Sequence, residues 1–331
     1  MPDVLTARCP LCRARGIAPT SRTLQSGNVV RAFSYVCSHC GLLLDEPAIM
    51  LDPTQSDTLF RDLCARKPTM SHPGDPFGCD IYTMRTIATR FALAAMPANT
   101  MQAHELCYPH GTFSAEAHLK PLPTLLPTPV SVGIMCSERE ASAVLAMAAL
   151  YRSWADAVIV LIDRAGEPSV PRQEGDDGFV SVFSHPLDGH FANQRNALQA
   201  LCGAPWMFQL DADEDISPEL GESLTRLATL ADRQGAASIG LPRQNLVDGR
   251  LSDLYPDVQY RLNRREVVYE GIVHERPVRS WQTSFIALSG AIRHHLTAEH
   301  VARRSKGYEQ LQPGGGRLFE EDALQRPFSA V

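Results

Sequence analysis

The chain has 331 residues, 44% hydrophobic and 21% charged, enough for one large domain with a small one or for two ordinary domains. Its net charge of −6 argues against a chain-wide nucleic-acid surface, and no uncharged, proline-free run is long enough to span a membrane. Nine cysteines, four of them in two C-x-x-C pairs, suit a metal site in a reducing compartment better than a disulfide framework. Met1-Pro2-Asp3-Val4 lacks the basic start of a secretory signal, so a cytoplasmic location is expected.

Residues 1–50 read as a zinc ribbon. Cys9-Pro10-Leu11-Cys12 and Cys37-Ser38-His39-Cys40 stand 24 residues apart, and each pair can form a knuckle that points two thiolates at one ion. Four cysteine ligands leave no open position, so Zn²⁺ there is structural and supplies much of the segment's folding energy. Between the pairs, Asn28–Val36 alternates as a strand should. Basic residues outnumber acids five to three in this segment, a faint hint of a polyanionic partner.

Residues 51–128 are expected to be a helical segment with a proline-rich linker. Ile81–Met96 and Thr100–Cys107 are the candidate helices, and Lys120–Pro129 is too rich in proline for a helix or central strand. Cys64, His72, Cys79, His104, Cys107 and His110 match no metal-ligand spacing.

From Pro129 the pattern alternates strand and helix, the signature of a mostly parallel sheet covered by helices. Val130–Cys136 and Ala157–Asp163 are buried strands, with a helix from Ser137 to about Ser153 between them. The polar loop Gly166–Gly178 leads to a short strand at 179–183, and a helix then begins near His190. Trp206–Leu210 is an apolar strand ending in Asp211-Ala212-Asp213-Glu214, which places Asp211 and Asp213 on one side. Two such carboxylates repel unless a cation lies between them, and hard oxygen ligands suit Mg²⁺ or Mn²⁺. Glu138, Asp163 and Asp211 all fall at carboxyl ends of strands, where ligands of such sheets bind. Ser217-Pro218-Glu219 opens a further helix that Gly235 ends. Segments 236–242, 257–262 and 270–275 complete the core, and His274 is a candidate to finish the metal's shell.

The ordered set of Arg139-Glu140, Asp163, Phe191–Leu198, Trp206–Glu214, Pro256–Leu262 and Tyr269–Glu275 resembles the family 2 glycosyltransferases of the GT-A fold, in the subgroup acting in cell-wall and lipopolysaccharide assembly. The likeness covers about residues 130–311 and sets a glycosyltransferase domain at 129–298, with a C-terminal helix and tail at 299–331. It implies a hexosyltransferase using a nucleoside-diphosphate sugar, a UDP-sugar foremost, with an unknown small-molecule, carrier or peptide acceptor. Glu140, Asp163 and Arg195 would line the donor, Asp211 the ribose or a metal-bound water, and Asp213 with His274 the Mn²⁺ or Mg²⁺. Asp257, Glu270 and Asp253 are the candidates for the base that deprotonates the acceptor. Asp163-Arg164-Ala165-Gly166-Glu167 departs from the subgroup's compact polar turn and leaves room for a donor with an extra anionic group. The ribbon lies outside the family pattern. A nucleotidyltransferase would share sheet and metal, but Cys136–Glu140 is acidic where such enzymes carry a basic Gly-rich loop. The other alternative makes the ribbon a protein- or nucleic-acid-binding module on an idle scaffold. An intermediate version has the ribbon present the acceptor.

Overall fold

The computed structural model describes residues 7–49, 51–108, 110–165, 172–174, 178–314 and 318–329. The N-terminal part begins with β1 (Ile17–Pro19), β2 (Thr23–Ser26), β3 (Val29–Ala32), β4 (Tyr35–Cys37), β5 (Leu43–Leu44) and the one-turn α1 (Glu46–Ile49). It continues through α2 (Pro53–Ala65), β6 (Thr69–Met70), β7 (Phe77–Gly78), α3 (Ile81–Arg90), β8 (Leu93–Pro97), α4 (Thr100–Glu105) and β9 (Glu116–Pro121). Asp52 caps α2 with Pro53 in its first turn, and Asp80 and Asn99 cap α3 and α4 through their side chains. The apolar run Ile81–Met96 is not one helix. Ala92 takes a left-handed φ of +53°, and the chain reverses into β8, which pairs with β9. The ribbon strands form a sheet in the order β1-β4-β5-β7, and one core runs from Cys9 and Leu44 to Phe60, Phe77, Ile87 and Ala117.

The remainder builds an eight-stranded sheet in a mixed α/β arrangement. Its strands arrive as β10 (Val130–Ser137), β11 (Ala157–Asp163), β12 (Arg172–Glu174), β13 (Val180–Ser184) and β14 (Trp206–Asp211), with α5 (Ala141–Ala148) and α6 (Phe191–Ala200) between them. Then come β15 (Glu214–Asp215), α7 (Pro218–Arg233), β16 (Ser238–Leu241), β17 (Arg243–Val247), β18 (Arg250–Leu251), β19 (Gln259–Arg264), β20 (Tyr269–Glu270) and β21 (Arg276–Pro277). The chain closes with β22 (Ser284–Ile286), β23 (Ile292–Leu296), α8 (Ala298–Leu311) and α9 (Leu318–Gln325). The order is β12-β13-β11-β10-β14-β19-β16-β22, and β13, β11, β10 and β14 run parallel. Trp206, Phe208 and Leu210 are fully buried along β14, each contributing roughly 2–3 kcal/mol of apolar burial. Gly133 on β10 meets Leu198 of α6 so closely that a Cβ would clash at 2.9 Å.

Two expectations for this half change. The helix after β10 starts only at Ala141, because Glu140 folds back on Ser137 in a turn. Residues 270–275 make no core strand: Gly271 (φ +108°) and His274 (φ +53°) turn the backbone after the two residues of β20. Most of the Gly166–Gly178 loop, including Gly166 and Glu167, lies outside the described residues.

A second sheet, β15-β23-β17-β18, stands beside the first. The proline-rich stretch 121–129 packs down, with Leu122 and Leu125 buried in the main core. Arg8 ties the ribbon to the rest: Nε donates to the Ser329 carbonyl (2.7 Å), Nη1 to that of Tyr255 (2.7 Å) and Nη2 to that of Asp253 (2.9 Å), with the Asp253 carboxylate alongside. Among the described residues no helix is long and apolar enough to cross a membrane.

Candidate functional site

The four ribbon thiols converge. Cys9 Sγ lies 3.7 Å from Cys40 Sγ, Cys12 Sγ 3.7 Å from Cys37 Sγ, and all four sulfurs fall within 4.8 Å of one another, fully buried. A tetrahedron with the usual Zn–S bond of about 2.3 Å has an edge of about 3.8 Å, so the donor set fits a thiophilic ion such as Zn²⁺. The knuckles close on residues in left-handed conformations, Arg13 (φ +66°) and Gly41 (φ +82°), whose amides bond back to Cys9 and Cys37. Hydrogen bonds from Cys12 and Cys40 hold the Cys37 thiol well below its ordinary value, while the same contacts push Cys12 and Cys40 well above theirs.

The acidic cluster sits where β14 leaves the main sheet. Asp211 ends the strand, Ala212 and Asp213 turn the chain, and Glu214 enters the second sheet opposite His294 of β23. The three acids differ in their partners. Asp211 accepts from Arg195 Nη2 (2.6 Å) and Arg261 Nη2 (2.8 Å), one guanidinium on each oxygen. Burial alone would raise its carboxyl, but Arg195, Arg261 and Arg243 pull it far below the ordinary range. Glu214 is buried, accepting from Arg243 Nη1 (2.8 Å) and from the Asp211 amide (3.1 Å). Asp213 meets no guanidinium at ion-pair distance among the described residues. Its side-chain partner is His294, with Nε2 3.2 Å from Oδ2.

Around Asp211, three guanidiniums face four carboxylates. Arg195, buried on α6, also donates from Nε to Glu275 (2.5 Å) and from Nη1 to Gln209 (3.3 Å). Arg195, expected to line the donor, spends its guanidinium on the carboxylates of Asp211 and Glu275. Arg243 Nη2 bonds Asp257 (2.5 Å), which also accepts from Gln259 (2.7 Å) and Asn245 (3.2 Å). Burial would raise Asp257, yet Arg243 overrides it and holds the group far down.

These contacts fix the His294 imidazole. Asn245 spends its Nδ2 on Asp257, so its Oδ1 faces His294 Nδ1 at 2.7 Å and that nitrogen donates. Nε2 then faces Asp213 Oδ2, itself an acceptor. A bare lone pair and a carboxylate stay 3.2 Å apart only with a proton or a metal ion joining them. A protonated imidazole paired with the carboxylate meets this contact, and so does a cation held between the two, with Asn245 and Asp257 behind them in either case. His274, the histidine singled out from sequence, lies elsewhere: it packs edge-on against Tyr308 (5.1 Å between centroids) and lines a neighbouring cavity. The sequence did hold a signal for His294. Ile292, His294 and Leu296 alternate inward along β23 while Arg293 and His295 point out.

A cavity of about 260 Å³ opens beside Asp213. Asp163 at the end of β11 and Glu140 line one side, together with Arg195, Asp211 and Glu275. Asp163 accepts from the Leu187 amide (2.9 Å), and Glu140 from the Ser137 amide (2.8 Å) and hydroxyl (2.6 Å). His300, Arg304 and Tyr308, one face of α8, form the other side. Arg164 swings to the rim and pairs with Glu138. The three carboxylates expected as a base are dispersed. Asp257 is locked under Arg243, Asp253 is held by Arg8, and Glu270 is exposed on β20 away from the cavity.

No protein-family model matches the chain. Among solved structures, the crystal structure of residues 1–349 of TarS from S. aureus aligns with 59% of this chain and 69% of that one, at 11% identity and a TM-score of 0.31.

Proposed function

We propose that the protein is a metal-dependent glycosyltransferase of the GT-A type that moves a sugar from a nucleoside-diphosphate sugar, a UDP-sugar foremost. The observation that carries this is the Asp213–His294 pair, with Nδ1 tied to Asn245, at the lip of a cavity that Asp163 and Glu140 also line. The parallel order β13-β11-β10-β14 followed by antiparallel β19 supports the fold. Bound there, Mn²⁺ or Mg²⁺ would neutralise charge building on a departing diphosphate.

The chain's own residues divide the remaining work. Asp163 and Glu140, which pair with no guanidinium among the described residues, are placed to accept hydrogen bonds from sugar or base hydroxyls and N–H groups. Arg304 on α8 brings a positive charge to the side of the cavity facing Asp213. Asp211 supports the site through Arg195 and Arg261. It stands too deep in that ion-pair network to be a free metal ligand.

Titrating the full chain with UDP, with and without Mn²⁺, tests the reading. Asp213→Ala and His294→Ala should each abolish the Mn²⁺-dependent part of UDP binding, whereas His274→Ala should leave it intact. UDP binding indifferent to Mn²⁺ and to both substitutions overturns the proposal.

A further inference from the structure

The cavity described above is the first of three that share walls. It shares Asp211, Glu275, Arg304 and Tyr308 with a second of about 80 Å³. That one shares Leu254, Asp257, Arg276 and Glu320 with a third of about 530 Å³. The third lies between ribbon and sheet. Arg15 and the knuckle residues Ser38 and His39 come from the ribbon, and Tyr260, Arg279 and Trp281 from the opposite wall. Its volume falls in the range of about 300–1,000 Å³ typical of small-molecule sites.

The chemistry of the walls narrows what fits. Both acids on the sheet side already hold guanidinium partners, Asp253 with Arg8 and Asp257 with Arg243. Arg15 also reaches Asp253 (3.4 Å) and Arg276 bonds Gln259 (2.7 Å), and across the whole lining four arginines, Arg8, Arg15, Arg276 and Arg279, face three acids, Asp253, Asp257 and Glu320. The Arg279 guanidinium stacks over the Tyr260 ring, 3.4 Å from its centroid, with Trp281 5.0 Å away and Nη1 on Ser284 Oγ (2.9 Å). A guanidinium held by its faces presents its remaining N–H groups edge-on, the geometry that grips a phosphate or carboxylate. Trp281 beside it is 46% exposed, an open ring on which the apolar face of a sugar can stack.

We propose that this third cavity is the acceptor subsite and takes a saccharide bearing an anionic group, with the ribbon as one of its walls. The inference rests on the donor reading above, since the second cavity shares walls both with the third and with the cavity beside Asp213. It also gives the ribbon a task that a purely structural Zn²⁺ site does not.

The test uses the full chain with Mn²⁺, UDP as the donor-side probe, and glucose, glucose 6-phosphate and glucuronate as acceptor-side probes, read by calorimetry. At least one charged sugar should bind alongside UDP without competing, and glucose should bind at least about tenfold more weakly, the worth of one charge-assisted contact. Arg279→Gln and the exposed Trp281→Ala should each weaken the charged sugar about tenfold while leaving UDP affinity unchanged. Glucose 6-phosphate against glucuronate separates phosphate from carboxylate. Competition with UDP, no binding of either charged sugar, or indifference to both substitutions overturns the proposal. Should UDP itself fail to bind, the donor reading falls. The response of charged-sugar binding to Trp281→Ala still scores the cavity separately.

Discussion

The ribbon and the acidic cluster assemble ligand atoms by opposite means. In the ribbon, all four donors come from two short knuckles, and repulsion among thiolates is relieved only when a cation arrives. In the acidic cluster, carboxylates from β14, β15 and the turns before β19 and β21 are held by the protein's own guanidiniums, Arg195, Arg243 and Arg261. Among the described residues, Asp213 is left to His294. A site whose fold depends on its metal differs from a site whose fold is complete before any ion binds. Each substitution below presses on that distinction.

The largest effect is expected in the ribbon. Cys37→Ser should remove bound zinc, read by elemental analysis of the purified chain, and unfold the N-terminal part, since structural Zn²⁺ contributes on the order of 10 kcal/mol. The shared core from Cys9 to Ala117 should go with it, so loss of protection in hydrogen exchange should reach α2 and α3. Exchange loss confined to residues 7–49 would show that the ribbon is an independent unit.

Next comes Arg195→Ala, which strands Asp211 and Glu275 without their nearest cation. Breaking a buried pair by removing one partner costs roughly 3–5 kcal/mol. The pH dependence follows from the same contacts. Burial would raise Asp211, Asp257 and Glu275, but the guanidiniums hold all three below the ordinary carboxylate range. Their folded values lie under the unfolded value of about 4, so their contribution is complete above it and is lost as pH falls through the folded values. Acid titration of the wild-type melting temperature should fall steeply below about pH 4, and Arg195→Ala should flatten that limb. An unchanged limb would assign the acid sensitivity to other carboxylates.

How much of this could be read from the sequence follows from where each contact is encoded. The knuckles are local, so C-x-x-C spacing was enough to find them. Trp206–Asp211 was legible because an apolar run of strand length ended in acids. The Arg195–Asp211–Arg261 bridge joins residues 16 and 50 positions apart, and no local pattern marks which arginine meets which acid. His274 drew attention because it follows an apolar pair and precedes an acid, yet its left-handed φ belongs to a turn. His294 stands beside His295 in a short strand, where the inward alternation of Ile292, His294 and Leu296 sets it apart. The Ile81–Met96 helix misled for a related reason: composition continued past Ala92 while the backbone turned there.

A finer cut separates the two aspartates two residues apart. Asp211→Asn should cost about 3 kcal/mol in urea unfolding, because it leaves two buried guanidiniums short of a charge. Asp213→Asn should change stability by less than about 1 kcal/mol, since it loses one partly exposed contact to an imidazole. Equal losses would mean that Asp213 belongs to the structural network after all.

The smallest effect should come from Asn245→Leu, and it tests the division most sharply. The substitution leaves Asp213 and His294 in place and removes the acceptor that holds Nδ1. An imidazole freed from that bond loses its fixed tautomer and its aim. Losing such a supporting contact weakens metal binding by about 10–100-fold in known sites. Mn²⁺ titration followed by water-proton relaxation should therefore show weaker binding. Asp257 keeps Arg243 and Gln259, so the melting temperature should drop far less than in Arg195→Ala. If Mn²⁺ affinity is untouched, His294 does not ligate the ion, and the acidic cluster is a structural ion-pair network throughout.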